Sequence, residues 1–240
     1  MCGRYALTTP PEVLAALLHL QRMEYDLVPR YNIAPTQMVA VVRADAERRR
    51  ELVPMRWGLI PFWAKDRTIG ARMINARSES AALKPAFRQA MRRRRCLIPA
   101  SGFYEWKKLG KRKQPYYIRR TDDAPLGFAG LWESWNDPEG GETLESCTIL
   151  TTDSNDLLRQ VHDRMPVILD PDGYDLWLDP DEEDPQRVIR LLAAAPSEVF
   201  SVYRVHTRVN SPGNDDASLI EPLPAQDTQE RGSQGSGLPT

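Results

Sequence analysis

Cys2 is the residue whose type and position promise the most distinctive chemistry. Once the initiator methionine is gone, its α-amino group and thiol sit on adjacent carbons as a 1,2-aminothiol. The amine condenses with an aldehyde to an imine, as lysine does in Schiff-base catalysis. The thiol then adds within the same molecule and closes a five-membered thiazolidine, with the rate advantage of a pre-positioned nucleophile. Reference pKa values of about 8 for the amine and about 8.5 for the thiol leave both nucleophiles accessible near neutrality. On position alone, an incidental small residue after methionine is the competing explanation.

Three further residues have side chains suited to assist such a reaction. Glu105 lies in GFYEW, where strand alternation puts Phe103 and Glu105 on one face and Tyr104 and Trp106 on the other. A carboxyl beside an aromatic in a desolvated pocket titrates high and can shuttle protons; an edge-strand glutamate facing water is the alternative. His162 ends the amphipathic run NDLLRQVHDR and is the leading candidate, of three histidines, for a group titrating near neutrality. His19, inside an apolar helix, and His206, in a strand, read as structural. Asn75 in MINARSE donates and accepts hydrogen bonds at once, as orienting an amine against a carbonyl requires. Arg4, Arg77 and Arg164 each lie within two residues of one of these candidates, a placement suited to holding phosphates. The run Arg92 to Arg95 has no such neighbour and reads as a solvated helix face. In RWGLIPFWAK, Trp57 reads as core, while Trp63, near Lys65 and Arg67, reads equally as core or as a surface for unpaired bases.

The elements that must position these residues are mostly strands. MVAVVR, ELVPMRW, ARMINAR, CLIPASGFYEW, PYYIRR, LGFAGLWESW, CTILTT, PVIL and VFSVYRV are short and rich in β-branched and aromatic residues. Turn segments such as LGKRKQ, TDDAP and NDPEGGE separate them. Four helices are predicted: one capped by Thr8 or Thr9 and running through LAALLHL with Leu14, Leu17 and Leu18 on one face, one through PAFRQAMRR, one over Asp153 to Asp163, and one through PQRVIRLLAAA. The fold class expected is α+β, a mainly antiparallel, barrel-like β-sheet with a few covering helices. Residues 1–223 are expected to form a single domain and residues 224–240, polar and rich in Gly, Ser and Gln, a disordered tail.

Composition narrows the classes. No stretch reaches the ~20 apolar residues of a membrane helix, and MCGRYALTTP lacks the pattern of a signal peptide, so an intracellular location is expected, cytoplasmic and nucleoid-associated in a bacterium or nuclear in a eukaryote. Three cysteines without a CxxC pair argue against a disulfide frame, and no His, Cys or acidic pair has convincing metal-ligand spacing, so neither metal nor cofactor is expected. The formal net charge of -1 hides an asymmetry: residues 1–165 carry 27 Lys and Arg against 19 Asp and Glu, the remainder 5 against 14. A basic front two thirds can draw in phosphates; scatter over a solvated surface is the plainer account. Nothing resembles a heptad seam, so a monomer is the default expectation.

Taken together, MCGRY, YNIAPTQ, RWGLIPFWA, INARSES, RRCLIPASGFYEW, PYYI, FAGLWESW, TILTT, HDRMPVIL and VNSPGND resemble the SRAP family, the SOS response-associated peptidases that include proteins crosslinking to abasic sites in DNA. The resemblance runs from residue 1 to about 222. It implies that Cys2 is the nucleophile, freed by self-removal of Met1, that Asn75 orients the new N-terminus, that Glu105 moves protons during imine formation, and that His162 assists sugar-ring opening and the reverse reaction. It further implies that Arg4, Asn32, Pro35, Trp63, Arg77 and Arg164 lie around the DNA backbone or act as a wedge. The expected partner is single-stranded or junction DNA containing abasic sites, and the expected outcome a stable thiazolidine crosslink that shields the lesion. One departure is Ala64, where some members carry the second aromatic of a pair, which implies weaker base stacking. Two rivals stand beside this reading: a thiol peptidase acting on peptides in trans, with Cys2 as nucleophile and His162 as base, and a non-covalent single-stranded DNA-binding module in which Cys2 is dispensable.

Overall fold

The computed structural model describes residues 2–224; the predicted tail falls, apart from Pro224, on residues 225–240, outside the described residues. In chain order the strands are β1 (Tyr5–Leu7), β2 (Arg22–Met23), β3 (Arg30–Ile33), β4 (Met38–Ala44), β5 (Arg50–Trp57), β6 (Asn75–Arg77), β7 (Arg95–Ala100), β8 (Gly102–Leu109), β9 (Arg112–Arg120), β10 (Leu126–Asn136), β11 (Thr143–Asp153), β12 (Arg164–Pro166) and β13 (Phe200–Arg204). Short helices interrupt them: α1 (Pro11–Leu17), α2 (Ser78–Ala81), α3 (Arg88–Arg93), α4 (Asp156–Arg159), α5 (Tyr174–Leu178) and α6 (Pro185–Ile189).

Strands β11, β10, β7, β4 and β5 pair in that order, and β5 closes the ring on β11 through the parallel pairs Ser146 with Arg56 and Cys147 with Trp57. The result is a closed five-stranded barrel, with β12 and β6 added to β11 and β2 added to β5. A second sheet, in the order β13-β9-β8-β1-β3, is antiparallel throughout. The α+β, barrel-like expectation therefore stands, with three parallel pairings inside an otherwise antiparallel frame.

Ser101 is where the chain crosses between the two. CLIPASGFYEW, expected as one strand, breaks there into β7 of the barrel and β8 of the second sheet. Its hydroxyl accepts from the Thr8 and Thr9 backbone N–H groups at 2.8 and 3.1 Å. Those threonines are consequently not helix caps: Pro10 precedes α1, and no side chain caps it. Leu14 and Leu18 pack inward, but Leu17 lies exposed at 48%.

Tyr5 and Phe103 of the second sheet meet Trp57 and Phe128 of the barrel edge to face. Their ring centroids lie 5.3 Å apart for Tyr5–Trp57 and 5.9 Å for Tyr5–Phe128 and Phe103–Phe128. Each such pair adds roughly 0.5–1.5 kcal/mol beyond area burial. This seam locks the two sheets together where β1 and β8 start.

Other sequence expectations shift for local reasons. The helix over Asp153 to Asp163 shrinks to α4, because Asp153 belongs to β11 and Asn155 caps the turn through Leu158 N–H at 2.9 Å. ARMINAR is strand only over β6; Arg67–Arg72 form a 3-10 helix held by the Gly58–Gly70 backbone approach. PQRVIRLLAAA gives α6 and then a 3-10 turn, Arg190–Leu192. In LGKRKQ the strands run almost to the tip, β8 ending at Leu109 and β9 starting at Arg112. The Arg92 to Arg95 run is not simply solvated. Arg95 is buried and donates to the Trp177 and Asp179 carbonyls, and Arg94 pairs with the buried Glu133. His19 falls beyond α1, exposed at a φ of +50°, and His206 follows β13 and caps the next 3-10 turn. Strands β1, β2 and β3 carry no periodicity that sequence alone could show, being two to four residues long.

Candidate functional site

The N-terminal segment lies along β8. Tyr5 pairs with Phe103 and Ala6 with Gly102, and Tyr104 N–H donates to the Arg4 carbonyl at 3.0 Å. Continuing that antiparallel register brings Gly3 opposite Glu105 and Cys2 beside it. β8 is an interior strand, flanked by β1 and β9, so Glu105 does not face water as an edge residue would; it is 4% exposed, on the Phe103 face as alternation predicts.

Burial pushes the Glu105 carboxyl above the usual carboxylate range, with the nearby His162 pulling partway back. Burial likewise pushes the Cys2 thiol up, the Glu105 charge adds to this, and the Arg4 backbone N–H opposes it. Cys2, Glu105 and His162 therefore form one electrostatic group. At neutral pH the thiol keeps its proton, and a high-titrating carboxyl stands beside it.

Asn75 opens β6, held parallel to β11 with Asn75 level with Ile149. Both its side-chain Oδ1 and Nδ2 are buried and have no hydrogen-bond partner among the described residues. A buried amide with neither end satisfied costs several kcal/mol in apolar surroundings and about 1–3 kcal/mol in proteins. Such a cost is tolerated where a ligand or a reacting group supplies the missing partner.

His162 lies in the turn between α4 and β12, half-buried. Its Nδ1 accepts from the Arg164 backbone N–H at 3.0 Å, so the proton of the neutral ring sits on Nε2. The same Nδ1 is 2.9 Å from Asp163 Oδ1, a contact that turns attractive when the ring is doubly protonated.

The predicted phosphate ligands divide into two kinds. Arg77, at the end of β6, is exposed and makes no ion pair among the described residues. Arg164 is already engaged: its guanidinium bonds Glu79 at 2.6 and 3.0 Å, Asp153 at 2.6 Å and the Thr151 carbonyl at 2.6 Å. Arg4 reaches Asn32 Oδ1 at 2.8 Å and the Val209 carbonyl at 2.7 Å. Asn32 is fully buried, and its amide donates to the Val209, Ser211 and Asn214 carbonyls. Asp215 completes this latch by accepting from Tyr31 and Asn32 N–H and from Arg30 Nε. Asn32 is thus the post to which the segment 209–215 is tied, with no amide hydrogen left pointing at solvent. Pro35, partly buried, precedes Thr36 at a φ of +71° on the β3–β4 turn.

Trp63 is 49% exposed and its neighbour Phe62 57%, whereas Ala64 is 4% exposed and its carbonyl accepts from Trp135 Nε1 at 2.7 Å. The outward aromatic pair is therefore Phe62–Trp63, and position 64 is turned inward. Their turn has its own small core of Ile60, Ala64 and Trp135, and Ile60 N–H donates to Ser146 Oγ at 2.8 Å. It leaves the barrel at Trp57, whose Nε1 bonds the Ile74 carbonyl beside Asn75, so it is anchored next to the site. Phe62 was missed in sequence; two adjacent aromatics after a proline were the available signal. Trp57 is core, as expected. Among the described residues no three His, Cys, Asp or Glu side chains converge as a metal site would require.

Residues 1–212 match the family model for SOS response associated peptidase (SRAP). The chain is 42% identical over 224 residues to the abasic site processing protein YoqW of Bacillus subtilis, covering 92% of this chain and 99% of that one. It is 32% identical to the abasic site processing protein YedK of Escherichia coli, covering 93% and 100%, and 32% identical to the abasic site processing protein HMCES of Xenopus tropicalis, covering 89% and 76%. A solved structure of a Bacteroides thetaiotaomicron protein superposes with a TM-score of 0.83 at 26% identity, covering 92% of this chain and all of that one. The match along the ordered motifs, the barrel and the similarity to these relatives agree: this chain belongs to the SRAP family.

Proposed function

We propose that this protein captures abasic sites in single-stranded DNA covalently, through a thiazolidine formed by Cys2 after Met1 is removed. The observation that carries the reading is the grouping of Cys2 with the buried, high-titrating Glu105 and with His162; a buried Asn75 amide whose polar atoms lack partners among the described residues supports it. The names of the relatives, abasic site processing proteins, supply the substrate class.

The chemistry follows from the protonation states. His162 or Glu105 moves the proton that opens the deoxyribose hemiacetal to its aldehyde. The Cys2 thiol is held neutral, so the free α-amine attacks first and gives a carbinolamine. Glu105, whose burial favours its protonated form, donates a proton to the departing hydroxyl, which leaves as water, and an iminium remains. The Cys2 sulfur then bonds to the same carbon, and its proton passes back to Glu105. One proton is given and one recovered; water is the only by-product. Asn75 accepts from the amine and donates toward the sugar oxygen, which orients the two without entering the bond changes.

The peptidase reading in trans calls for a thiolate at Cys2, and burial and the adjacent Glu105 both oppose one. Self-removal of Met1, a single event per chain, belongs to the proposal as the step that exposes the amine.

The test is denaturing electrophoresis of purified protein, shown by mass to lack Met1, after mixing with single-stranded DNA bearing one abasic site. A band that survives denaturation and disappears with Cys2→Ala supports covalent capture. Protein lacking Met1 that gives no such band, or a band that persists in Cys2→Ala, overturns it.

A further inference from the structure

The strand that carries Glu105 does not stop at the site. It runs on as the β8–β9 hairpin, with Trp106 opposite Pro115, Lys107 opposite Gln114, Lys108 opposite Lys113 and Leu109 opposite Arg112. Between Glu105 and Asp122 the sequence holds no acidic residue, and the hairpin tip reads KKLGKRK, five cations in seven positions. Lys108, Lys111, Arg112 and Lys113 are exposed and Lys107 is half-buried. None of the five makes an ion pair among the described residues; Asp122 and Asp123, which follow the far end of β9, pair with Arg120 and Arg119.

This arrangement is unfavourable for the hairpin alone. Like charges directly opposite each other on an antiparallel pair destabilise it, and Lys108 faces Lys113. An isolated two-stranded ribbon is also only marginally stable in water, so neutral or alternating charges there would serve the fold better. The strand register gives the arm a direction. Alternation places Lys107 on the face of Glu105, about 7 Å along the strand, and the Leu109–Arg112 pair on the same face about 7 Å further out.

We infer that the β8–β9 hairpin is a basic arm that holds the phosphates of the single strand running away from the Glu105 site, with Lys107 and Arg112 on the site's own face and Lys108, Lys111 and Lys113 adding charge around the tip. The inference rests on the proposed action on DNA, and deepens it by adding a binding surface that the Arg4, Arg77 and Arg164 set does not include. Charge complementarity selects the occupant: unpaired cations aligned with the catalytic strand suit a polyanion threaded through the site.

The experiment measures anisotropy of a fluorescent single-stranded oligonucleotide without any abasic site, over a range of salt, for wild type and for the triple variant Lys108→Gln, Lys111→Gln, Lys113→Gln. The substituted residues are exposed and relieve repulsion, so the variant's Tm is expected to be no lower than that of wild type. Each phosphate that is no longer neutralised should reduce the slope of log affinity against log salt by about 0.7, about 2 for the triple variant, with affinity near 0.1 M salt falling on the order of 10- to 100-fold. An unchanged slope and affinity overturn the inference, as does a loss seen only with duplex DNA. Wild-type protein that binds the plain strand through the arm but forms no adduct with an abasic strand would instead defeat the capture reading and leave the arm standing.

Discussion

Tyr104 donates its backbone N–H to the Arg4 carbonyl at 3.0 Å, and this single bond extends the β1–β8 pairing far enough to bring Gly3 opposite Glu105 and Cys2 beside it. Arg4 is therefore held twice, by its backbone on β8 and by its guanidinium on Asn32 and Val209. Cys2 is positioned by the strand that follows it, and Glu105 by the strand beside it.

The proposed role of Glu105 and its contribution to stability pull in opposite directions. Its folded carboxyl titrates above the unfolded one, so the protein is favoured by this group at pH below the ordinary carboxylate range and loses that advantage as pH rises through the raised value. Glu105→Gln should thus raise Tm at pH 7 and leave it nearly unchanged at pH 4. Without a proton to exchange, adduct formation should slow by about 10²- to 10⁴-fold. Thermal melts at the two pH values and single-turnover gel kinetics check both; a Tm at pH 7 that falls would contradict the account of a strained, desolvated carboxyl.

Two asparagines make a contrast that burial alone would not reveal. Asn32 satisfies three backbone carbonyls and anchors Arg4, so Asn32→Ala should destabilise the fold by about 2–4 kcal/mol in a urea titration. Asn75 satisfies nothing in the described structure, so Asn75→Ala should be neutral or stabilising by up to about 1 kcal/mol while slowing capture. Equal destabilisation by both would mean that the Asn75 amide is structural.

Phe62 and Trp63 invite a similar separation. Each is exposed, so single alanine substitutions should shift stability by no more than about 0.5 kcal/mol. If each stacks on a base, each should weaken single-strand binding by about 1–3 kcal/mol, read by anisotropy. Ala64→Trp, which would restore the aromatic found in some members, should overfill the Ile60–Trp135 cluster and cost about 1–3 kcal/mol of stability instead of improving affinity.

Much of this was legible in the chain, for identifiable reasons. Glu105 could be assigned to the Phe103 face because a strand alternates with period two and β8 is regular. The barrel could be suspected from short β-branched runs. Its closure could not, since β5 meets β11 in parallel through only two residue pairs, each ninety positions apart in sequence. The four polar candidates were readable as types, but the approach of Glu105 to the N-terminal segment depends on Ser101 sending β8 into a different sheet from β7. For Asn32 and Arg164, expected around the DNA backbone, only three-dimensional contacts with Val209, Ser211, Asn214, Glu79 and Asp153 reveal how much of their hydrogen-bonding capacity the fold already uses. Phe62 escaped notice because the aromatic pair was sought at Trp63 and the residue after it, whereas the chain turns the residue before it outward.

Arg77 and Arg164 offer the sharpest test of the difference between a cation that is available and one that the fold already uses. Arg77 is exposed at the end of β6 and makes no ion pair among the described residues, so Arg77→Ala should leave the urea midpoint nearly in place and reduce the salt slope of single-strand binding by about 0.7. Arg164 ties Glu79 of α2 to Asp153 and Thr151 of β11, and two of these three partners are carboxylates that would be left facing each other in its absence. Its side chain is only 12% exposed, so truncation should cost about 2 kcal/mol. Part of that loss should be recovered in the double variant Arg164→Ala, Glu79→Gln, because Glu79 is held below the usual carboxylate range by the same guanidinium. Affinity that falls for Arg164→Ala and returns with the second substitution, which adds no positive charge, would identify Arg164 as a brace for β12 and His162 and not as a phosphate ligand. Affinity that stays low while stability recovers would assign it to the DNA.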